Sequence, residues 1–574
     1  MDIDTESIVK NFKELNKLLE NWTEEYKKAI SKAPERKKKF ENPSEIPLKP
    51  IYTPLDIRGN IYSHYVNNVG FPGLYPFTRG VYPTMYRSRL WTKRLLTAFG
   101  SPEQANERIK LMLKAGETGI NIPAPSISMR GMDTDEAAEK LDKGYIGLYG
   151  ANFDTLKDIE ILLDGIPIHK ISVNYSDPAP FVTIALHFAF AKRKGIPWSE
   201  IRGTTNQADC YSHWASCWDF ILFPLEAHLN LTLDHFEWCA KNAPRWWPLS
   251  IIGQHNSQAG ATPVQEVAFT LAAGIDYVKR LVEKGMTADL AAQKISAFFD
   301  GQINLFEMAA KLRAARRIWA RIMKEEFKAK NPRSWQLRMH VQTSGVELTR
   351  QQVLNNIVRV TLQALGAVLG GANSLHTDSF DEALCIPSEK AQIIALMTQH
   401  ILSEESGVAD VIDPLGGSYY VEWLTDEIEQ RALEYIYKIE EMGGMLEALR
   451  KGFIQREIAK SAYDLQKKIE NKERIIVGVN EFVIEEEEPE IEYPKPNSEL
   501  VERQIERTKG IRKERDLQKV ESSLDKLKEI ASGNKEGNIF QQVINCVNVY
   551  CTRGEIVGAL REIFGEGRPK IYLP

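Results

Sequence analysis

The stretch "PLSIIGQHNSQAGAT", residues 248–262, decides the fold. A short apolar run, Leu249 to Ile252, stops at Gly253 and becomes a row of hydrogen-bonding side chains: Gln254, His255, Asn256, Ser257 and Gln258. A helical pattern follows at once in "TPVQEVAFTLAAGIDYVKRLVEKG". A buried strand that ends in polar side chains and feeds a helix is one βα unit. In a (β/α)8 barrel the site is built at those carboxyl ends. The plain alternative is a loop whose side chains only cap the next helix.

Outward from this stretch the same rhythm recurs. Strand-like runs lie at 118–124, 169–175, 201–206, 248–255, 336–345 and 373–379, with helix-length segments between them. Strands alternating with helices imply right-handed βαβ units and a parallel sheet. Two further strands are expected near 80–100 and 145–165. The reading is therefore an α/β protein with a TIM barrel over 82–425, an N-terminal helix and extended arm over 1–81, and a helical C-terminal region over 426–574 carrying an acidic linker near 485–498. An open doubly wound sheet is the alternative, weakened by the lack of any G-x-G-x-x-G. The runs end in Asn174, Thr204, Asn206, His255, His340 and His376, and such endings on several strands together favour a site over loop satisfaction.

The whole chain narrows the function classes. It has 574 residues, 43% hydrophobic and 26% charged, with a net charge of −5, so nothing marks a nucleic-acid surface. No apolar run reaches membrane-spanning length, no signal peptide opens the chain, and the six cysteines show no C-x-x-C pairing. A cytoplasmic protein with reduced thiols is expected, with neither metal nor membrane nor nucleic acid as partner.

Seven long motifs then carry a resemblance. "PFTRGVYPTMYRSRLWTKR", "SIIGQHNSQAGAT", "EMAAKLRAARRIWARI", "LRMHVQTSGVELT", "NSLHTDSFDEAL", "ESGVADVIDPLGGSYYVEWLT" and "EEMGGMLEALRKG" resemble, in order, the large subunit of the methylmalonyl-CoA mutase family, over about 75–574. The resemblance implies a barrel threaded by the pantetheine arm of an acyl-CoA, and adenosylcobalamin radical chemistry in which the thioester-bearing group migrates to the adjacent carbon. His255 matches the active-site histidine, a donor to the thioester carbonyl. Tyr82, Met85, Arg89, Thr92 and Arg94 match the CoA-contacting segment, and guanidinium groups suit phosphates. Lys294 stands where the family often has arginine, and Ser296 matches. Asn121 and Thr204 complete the substrate set. Gly345, Glu382, Cys385 and Gln466 fall at positions near the cobalamin or adenosyl group.

The departures bear on the substrate. Methylmalonyl-CoA mutases have tyrosines where this chain has Leu96 and Gln254, a glutamine at Asn206, a phenylalanine at Ala124, and the carboxylate-clamping arginine at Ser216. Losing that cation leaves a buried carboxylate unpaired, which argues against methylmalonyl-CoA. All five changes shrink the side chain. The expectation is a bulky or aryl-substituted acyl-CoA, such as an arylsuccinyl-CoA/benzylmalonyl-CoA pair, with Trp214 and Trp218 refilling space or stacking on the substrate and with Arg130, Arg245 or His213 replacing the clamp. The alternatives are another branched acyl-CoA of the isobutyryl or 2-hydroxyisobutyryl type, the latter disfavoured because Ala124 and Pro125 offer a hydroxyl no partner, or a non-catalytic scaffold paralogue. The family's D-x-H-x-x-G signature of the cobalamin domain does not occur. A separate small cobalamin-binding subunit is therefore expected, with two large subunits pairing inside a heterotetramer.

Overall fold

Nine short strand segments, all paired in parallel, form the centre of the computed structural model, which describes residues 5–123, 125–141, 146–485, 491 and 493–569. They are β1 (Thr92–Lys93), β2 (Gly119–Pro123), β3 (Ser172–Ser176), β4 (Arg202–Thr205), β5 (Trp246–Trp247), β6 (Leu249–Ile252), β7 (Ile295–Gly301), β8 (Met339–Thr343) and β9 (Ser374–His376). They fall in the orders β1-β9-β8-β7-β6 and β2-β3-β4-β5. Both gaps between these rows are bridged by the chain itself. β5 and β6 are one stave interrupted at Pro248, which has no N–H for the ladder. The side-chain alternation slips there: Trp247 and Ser250 face the axis while Trp246 and Leu249 enter the outer core, the signature of an extra residue. On the other side Leu96 bridges Asn121, the Thr118 N–H donates to the Lys93 carbonyl (3.0 Å) and the Thr97 N–H to the Asn121 carbonyl (3.2 Å). Eight staves thus close into a (β/α)8 barrel.

One expected strand moves. The segment near 80–100 supplies β1, but the other missing stave is Ile295–Gly301, and around 145–165 the chain instead forms the helix Leu156–Leu162. The run "ISAFFDG" directly follows the short helix Ala288–Gln293, so its apolar pattern reads as a continuation of that helix.

Each stave is followed by a covering helix, and local chemistry starts several of them. Ser101 with Gln104, Thr155 with Asp158 and Thr262 with Gln265 form reciprocal capping boxes, two of them with proline in the first turn. The outward strand residues, among them Ile120, Val173, Ile251, Phe299 and Val341, are fully or almost fully buried under these helices. Gly203 is required because a Cβ there would meet the Trp246 ring at 2.2 Å and the Val173 carbonyl oxygen at 2.3 Å.

The motif "EMAAKLRAARRIWARI" forms the helix Leu305–Arg321, whose basic residues look surface-like, yet Lys311, Arg313, Arg316 and Arg317 are buried. Arg313 pairs with Asp413 and Glu422, Arg317 with Asp426 and Glu429, and Arg316 donates to the carbonyls of Phe77 and Thr78. These bonds fasten the N-terminal arm and the helix Tyr419–Glu441 to the barrel. The C-terminal helices from Ser498 onward are tied on likewise, by Arg512 to Asp133 and Asp135 and by buried Arg553 to Asp177 (3.2 Å). Asp177→Ala, which strands the Arg553 charge, should cost about 3–5 kcal/mol and lower the melting temperature by several degrees. An unchanged melting temperature would show that Thr183, the other partner of Arg553, suffices.

None of the six cysteines forms a disulfide. Among the described residues no helix is long and apolar enough to cross a membrane.

Candidate active site

Branched apolar side chains fill the interior of most (β/α)8 barrels. Here the staves point Ser172, Asn174, Thr204, Ser250, Ser296 and Ser374 inward, and the axis holds a cavity of about 690 Å³. The cause is sequence: small polar residues on the axis alternate with outer-core residues such as Val173, Tyr175, Ile251, Ile295 and Leu375, and at Thr204 with Gly203 and Thr205. The walls also carry buried donors or acceptors with nothing to bond, namely Arg94 Nε, Trp247 Nε1 and His340 Nε2. Buried polar atoms are rarely left so, and these line an open space. Arg94 reaches Ser172 Oγ through Nη2 (2.6 Å), and burial lowers its pKa to about 10. The neighbouring Glu117 carboxyl is pushed up to about 8 by its own burial.

The two mouths of the cavity differ. At the amino ends of the staves stand Arg89, Lys170, Arg202, Arg245 and Arg338, a rim of cations around the opening. Arg338 lies over the Trp247 ring and donates to Tyr82 Oη (2.9 Å). Sequence reading missed Lys170, Arg202 and Arg338 because they are far apart in the chain. The available signal was a basic residue at or just before several strands. Such a rim suits a polyphosphate.

At the carboxyl ends, Asn174 Nδ2 donates to Asn121 Oδ1 (2.9 Å) and Asn206 closes the cavity. His255 stands beyond that end, in the first turn of the short helix Gln254–Gln258, immediately after β6. Its ring contacts Ser212 Oγ through Nδ1 (3.3 Å) and Gln207 Nε2 through Nε2 (3.4 Å), and it stacks on Phe220 with ring centres 5.9 Å apart. Burial drives its pKa down to about 4, so the ring is neutral at physiological pH. Gln207, Ser212 and Phe220 were not legible as site residues, because the segment holding them folds back onto the ring only in three dimensions.

Across the same face, the loops after β8 and β9 bring Gly345, Asp378 and Glu382 together. A Cβ on Gly345 would lie 3.6 Å from Glu382 Cγ and 3.7 Å from Asp378 Oδ2. Burial, with Asp378 and Asp381 beside it, holds the Glu382 carboxyl well above the usual carboxylate range. Asp378 Oδ2 is buried without a partner, while its Oδ1 accepts from His376 Nε2 (2.9 Å). The Leu96 N–H donates to the other ring nitrogen of His376 (3.1 Å), which ties the Leu96 position to this carboxylate.

Tyr82, Met85, Arg89, Thr92, Arg94, Thr204, Asn206 and Ser296 therefore share the cavity. Lys294 does not line it: its ammonium is taken by the carbonyls of Pro244 and Trp246 and lies over the Trp247 ring. Leu96, Asn121 and Gln254 gather at the carboxyl end, and Ser216 donates to Asn256 Oδ1 (2.8 Å) in the helix of His255. Ala124 lies outside the described residues. Cys385 follows Glu382, its thiol raised to about 11 by burial and by Asp381. Gln466 is exposed on the helix Phe453–Glu470 and bonds Glu470 (2.9 Å). The two tryptophans separate: Trp214 packs on the core, and Trp218 is 41% exposed.

Two proposed substitutes for the carboxylate clamp do not fit. Arg245 precedes β5 and opens the opposite mouth, separated from Gln254 by the stave from Trp246 to Ile252, about 20 Å long at 3.3 Å per residue. His213 is fully buried and its pKa is driven well below 6.5, so it carries no charge.

The methylmalonyl-CoA mutase family profile matches residues 41–566. The 2-hydroxyisobutanoyl-CoA mutase large subunit of Aquincola tertiaricarbonis is 42% identical over 540 residues, covering 94% of this chain and 94% of that protein. The methylmalonyl-CoA mutase of Rhizobium meliloti (strain 1021) is 38% identical, covering 96% of this chain and 76% of its own length. The mitochondrial methylmalonyl-CoA mutase of Homo sapiens is 38% identical, covering 92% and 69%. With the polar barrel axis, these matches make the chain a member of the methylmalonyl-CoA mutase family, cobalamin-dependent isomerases that rearrange acyl-CoA esters.

Proposed function

We propose that this chain is the acyl-CoA-binding large subunit of an adenosylcobalamin-dependent mutase whose acyl group carries no free carboxylate, with 2-hydroxyisobutanoyl-CoA the first ester to test. The observation that carries the reading is the open polar axis with its unpartnered Arg94, Trp247 and His340 atoms. A pantetheine arm, with its amides and hydroxyl, would satisfy them. The cationic rim would take the nucleotide phosphates at one mouth, which leaves the thioester at the other.

The sequence-level preference for an arylsuccinyl-CoA/benzylmalonyl-CoA pair is not kept. That pair would bring a carboxylate towards Ser216, whose hydroxyl already serves Asn256, while His213 is neutral and Arg245 is remote. An uncharged branched acyl group avoids the several kcal/mol cost of an unpaired buried carboxylate. The resemblance to a 2-hydroxyisobutanoyl-CoA mutase large subunit over 94% of both chains supports the same direction, and with it a separate small subunit that brings the cofactor.

The carboxyl-end face fits an adenosyl group. Gly345 leaves room, the Glu382 carboxyl, its pKa raised by burial and by Asp378 and Asp381, faces the same space, and the unpartnered Asp378 oxygen awaits a donor such as a ribose hydroxyl. The chemistry supplied by adenosylcobalamin when bound is hydrogen-atom abstraction from the acyl chain. The chain's own residues do the rest. The arginine rim and the axis fix the ester along the barrel, and the barrel wall excludes water from the acyl end. A ring N–H of His255 donates to the thioester oxygen while the acyl group migrates.

Because that role needs a neutral donor, protonation must stay out of the working range. The His255 ring resonances of histidine-labelled protein should not titrate between pH 8 and about 5.5, since burial holds the pKa near 4. Titration near 6.5 would mean that the ring is solvated.

The direct test reconstitutes the chain with a cobalamin-binding small subunit and adenosylcobalamin. A panel of esters, isobutyryl-, 2-hydroxyisobutanoyl-, methylmalonyl- and benzylmalonyl-CoA, is then followed by mass detection. Turnover of the uncharged esters alone is expected. Turnover confined to the carboxylated ones would reverse the substrate assignment.

A further inference from the structure

Behind His255 runs a buried hydrogen-bonded chain that the proposed reaction does not use. His213 Nε2 lies 2.9 Å from Gln207 Oε1, Gln207 Nε2 lies 3.4 Å from His255 Nε2, His255 Nδ1 lies 3.3 Å from Ser212 Oγ, and Ser212 Oγ donates to the Asp209 carbonyl (3.0 Å). His213 is 0% exposed, Ser212 1% and Gln207 5%, so solvent does not satisfy their side-chain atoms, while the His255 ring itself is half-buried.

The direction of the chain follows from its two ends. The Ser212 hydroxyl proton is spent on the Asp209 carbonyl, so Ser212 accepts from His255, and the His255 proton sits on Nδ1. Nε2 is then a lone pair, which requires the Gln207 amide N–H₂ to face it and Oε1 to face His213. His213 must then carry its proton on Nε2, leaving its buried Nδ1, which has no partner, as a bare acceptor. The reverse order would bury an unpartnered N–H instead, the costlier defect, because a carbonyl or ring acceptor tolerates isolation better than a donor. Every proton in the chain is thereby placed.

We infer that Gln207, locked in orientation by His213, is a positioning residue that holds His255 in the Nδ1–H tautomer, so that Nδ1–H is the ring's only donor. Orienting partners fix histidine tautomers in this way throughout enzymes and metal sites. Ser212 then serves as a placeholder acceptor at 3.3 Å, a long contact that a thioester oxygen can take over. The inference rests on the mutase reading for its function, though not for its test. The titratable groups facing the ring are His213 on the helix Cys210–Ser216 and, 5.4 Å behind it, His228 on the helix Leu225–Asn242. The Asp209 carboxylate is turned away, to the N–H groups of Tyr211 and Ile252 and the Tyr277 hydroxyl. Phe220 covers one ring face and adds no charge.

The experiment is nuclear magnetic resonance on full-length protein carrying ¹³C,¹⁵N-histidine, with the His255 signal identified by its loss in His255→Ala. The expected result is the Nδ1–H tautomer in the wild type. In Gln207→Glu, whose carboxylate can only accept, the proton should move to Nε2 and the pKa should rise by at least about one unit. With the small subunit, cofactor and a turned-over ester, Gln207→Glu and His213→Phe should lower kcat by about 10–100-fold with ester affinity within twofold, and His213→Gln, which keeps a donor for Gln207, should restore most of it. An Nε2–H tautomer in the wild type, or a tautomer unmoved in folded Gln207→Glu, overturns the inference. The wild-type spectrum decides even if that variant fails to fold. Absence of turnover with every ester, beside the expected spectrum, would instead count against the mutase reading.

Discussion

His255→Ala will lower turnover by about 10²–10³-fold, equivalent to about 2.7–4 kcal/mol of barrier, while acyl-CoA affinity stays within about threefold. The ring sits beyond the cavity that holds most of the ester's length, so the binding contacts of the rim and axis survive its removal. It is neutral, stacked on Phe220 and held by two long hydrogen bonds, which makes it a preorganised donor with little to reorganise when charge gathers on the thioester oxygen. The measurement is kcat beside an equilibrium dissociation constant for a CoA ester. Equal losses in both would mean that the ring holds the ground state and has no special hold on the migrating group.

Ser296→Trp will abolish acyl-CoA binding, with affinity falling by more than about 100-fold, or about 2.7 kcal/mol. Ser296 lies beside Ser250 in strand register, and both face the cavity. An indole from that position fills the axis through which the pantetheine arm would pass. The outer core is untouched, because Ile295 and Ala297 on either side still face the helices. Ser296→Ala serves as control and should bind within about threefold of wild type, since Oγ makes only a 3.5 Å contact to the Leu249 carbonyl. Calorimetry with a CoA ester, beside circular dichroism to show an intact fold, gives the answer. Retained affinity in the tryptophan variant would move the ester off the axis and undo the barrel-threaded reading.

Much of the barrel could be read from alternation alone, because a strand buried under a helix on one side must repeat its apolar residues every second position. The stave at 172–176 is plain in this way, while the one ending at Ile252 was legible as a short apolar run that stops at Gly253. β7 was hidden since its apolar run abuts a helix of alanines. The break at Pro248 was legible as a proline, while its consequence, a slip in which residues face the axis, was not. The candidate histidine could be found because His255 follows a strand directly. The cations of the far mouth could not, for each is local to its own loop and only closure of the sheet makes them a ring.

By itself the sequence determined the βα order, the capping boxes that start the helices and the family. Each is a property of neighbouring residues or of residue identity at a matched position. Tertiary structure alone decided that Lys294 serves backbone carbonyls, that Arg245 is too remote to replace the clamp and that His213 is uncharged. It also decided that Gln207 and Ser212 grip the His255 ring. The physical reason is common to all of these. Burial sets which protonation state a side chain keeps, and closure of the barrel sets which end it faces; both depend on residues scores of positions apart in the chain.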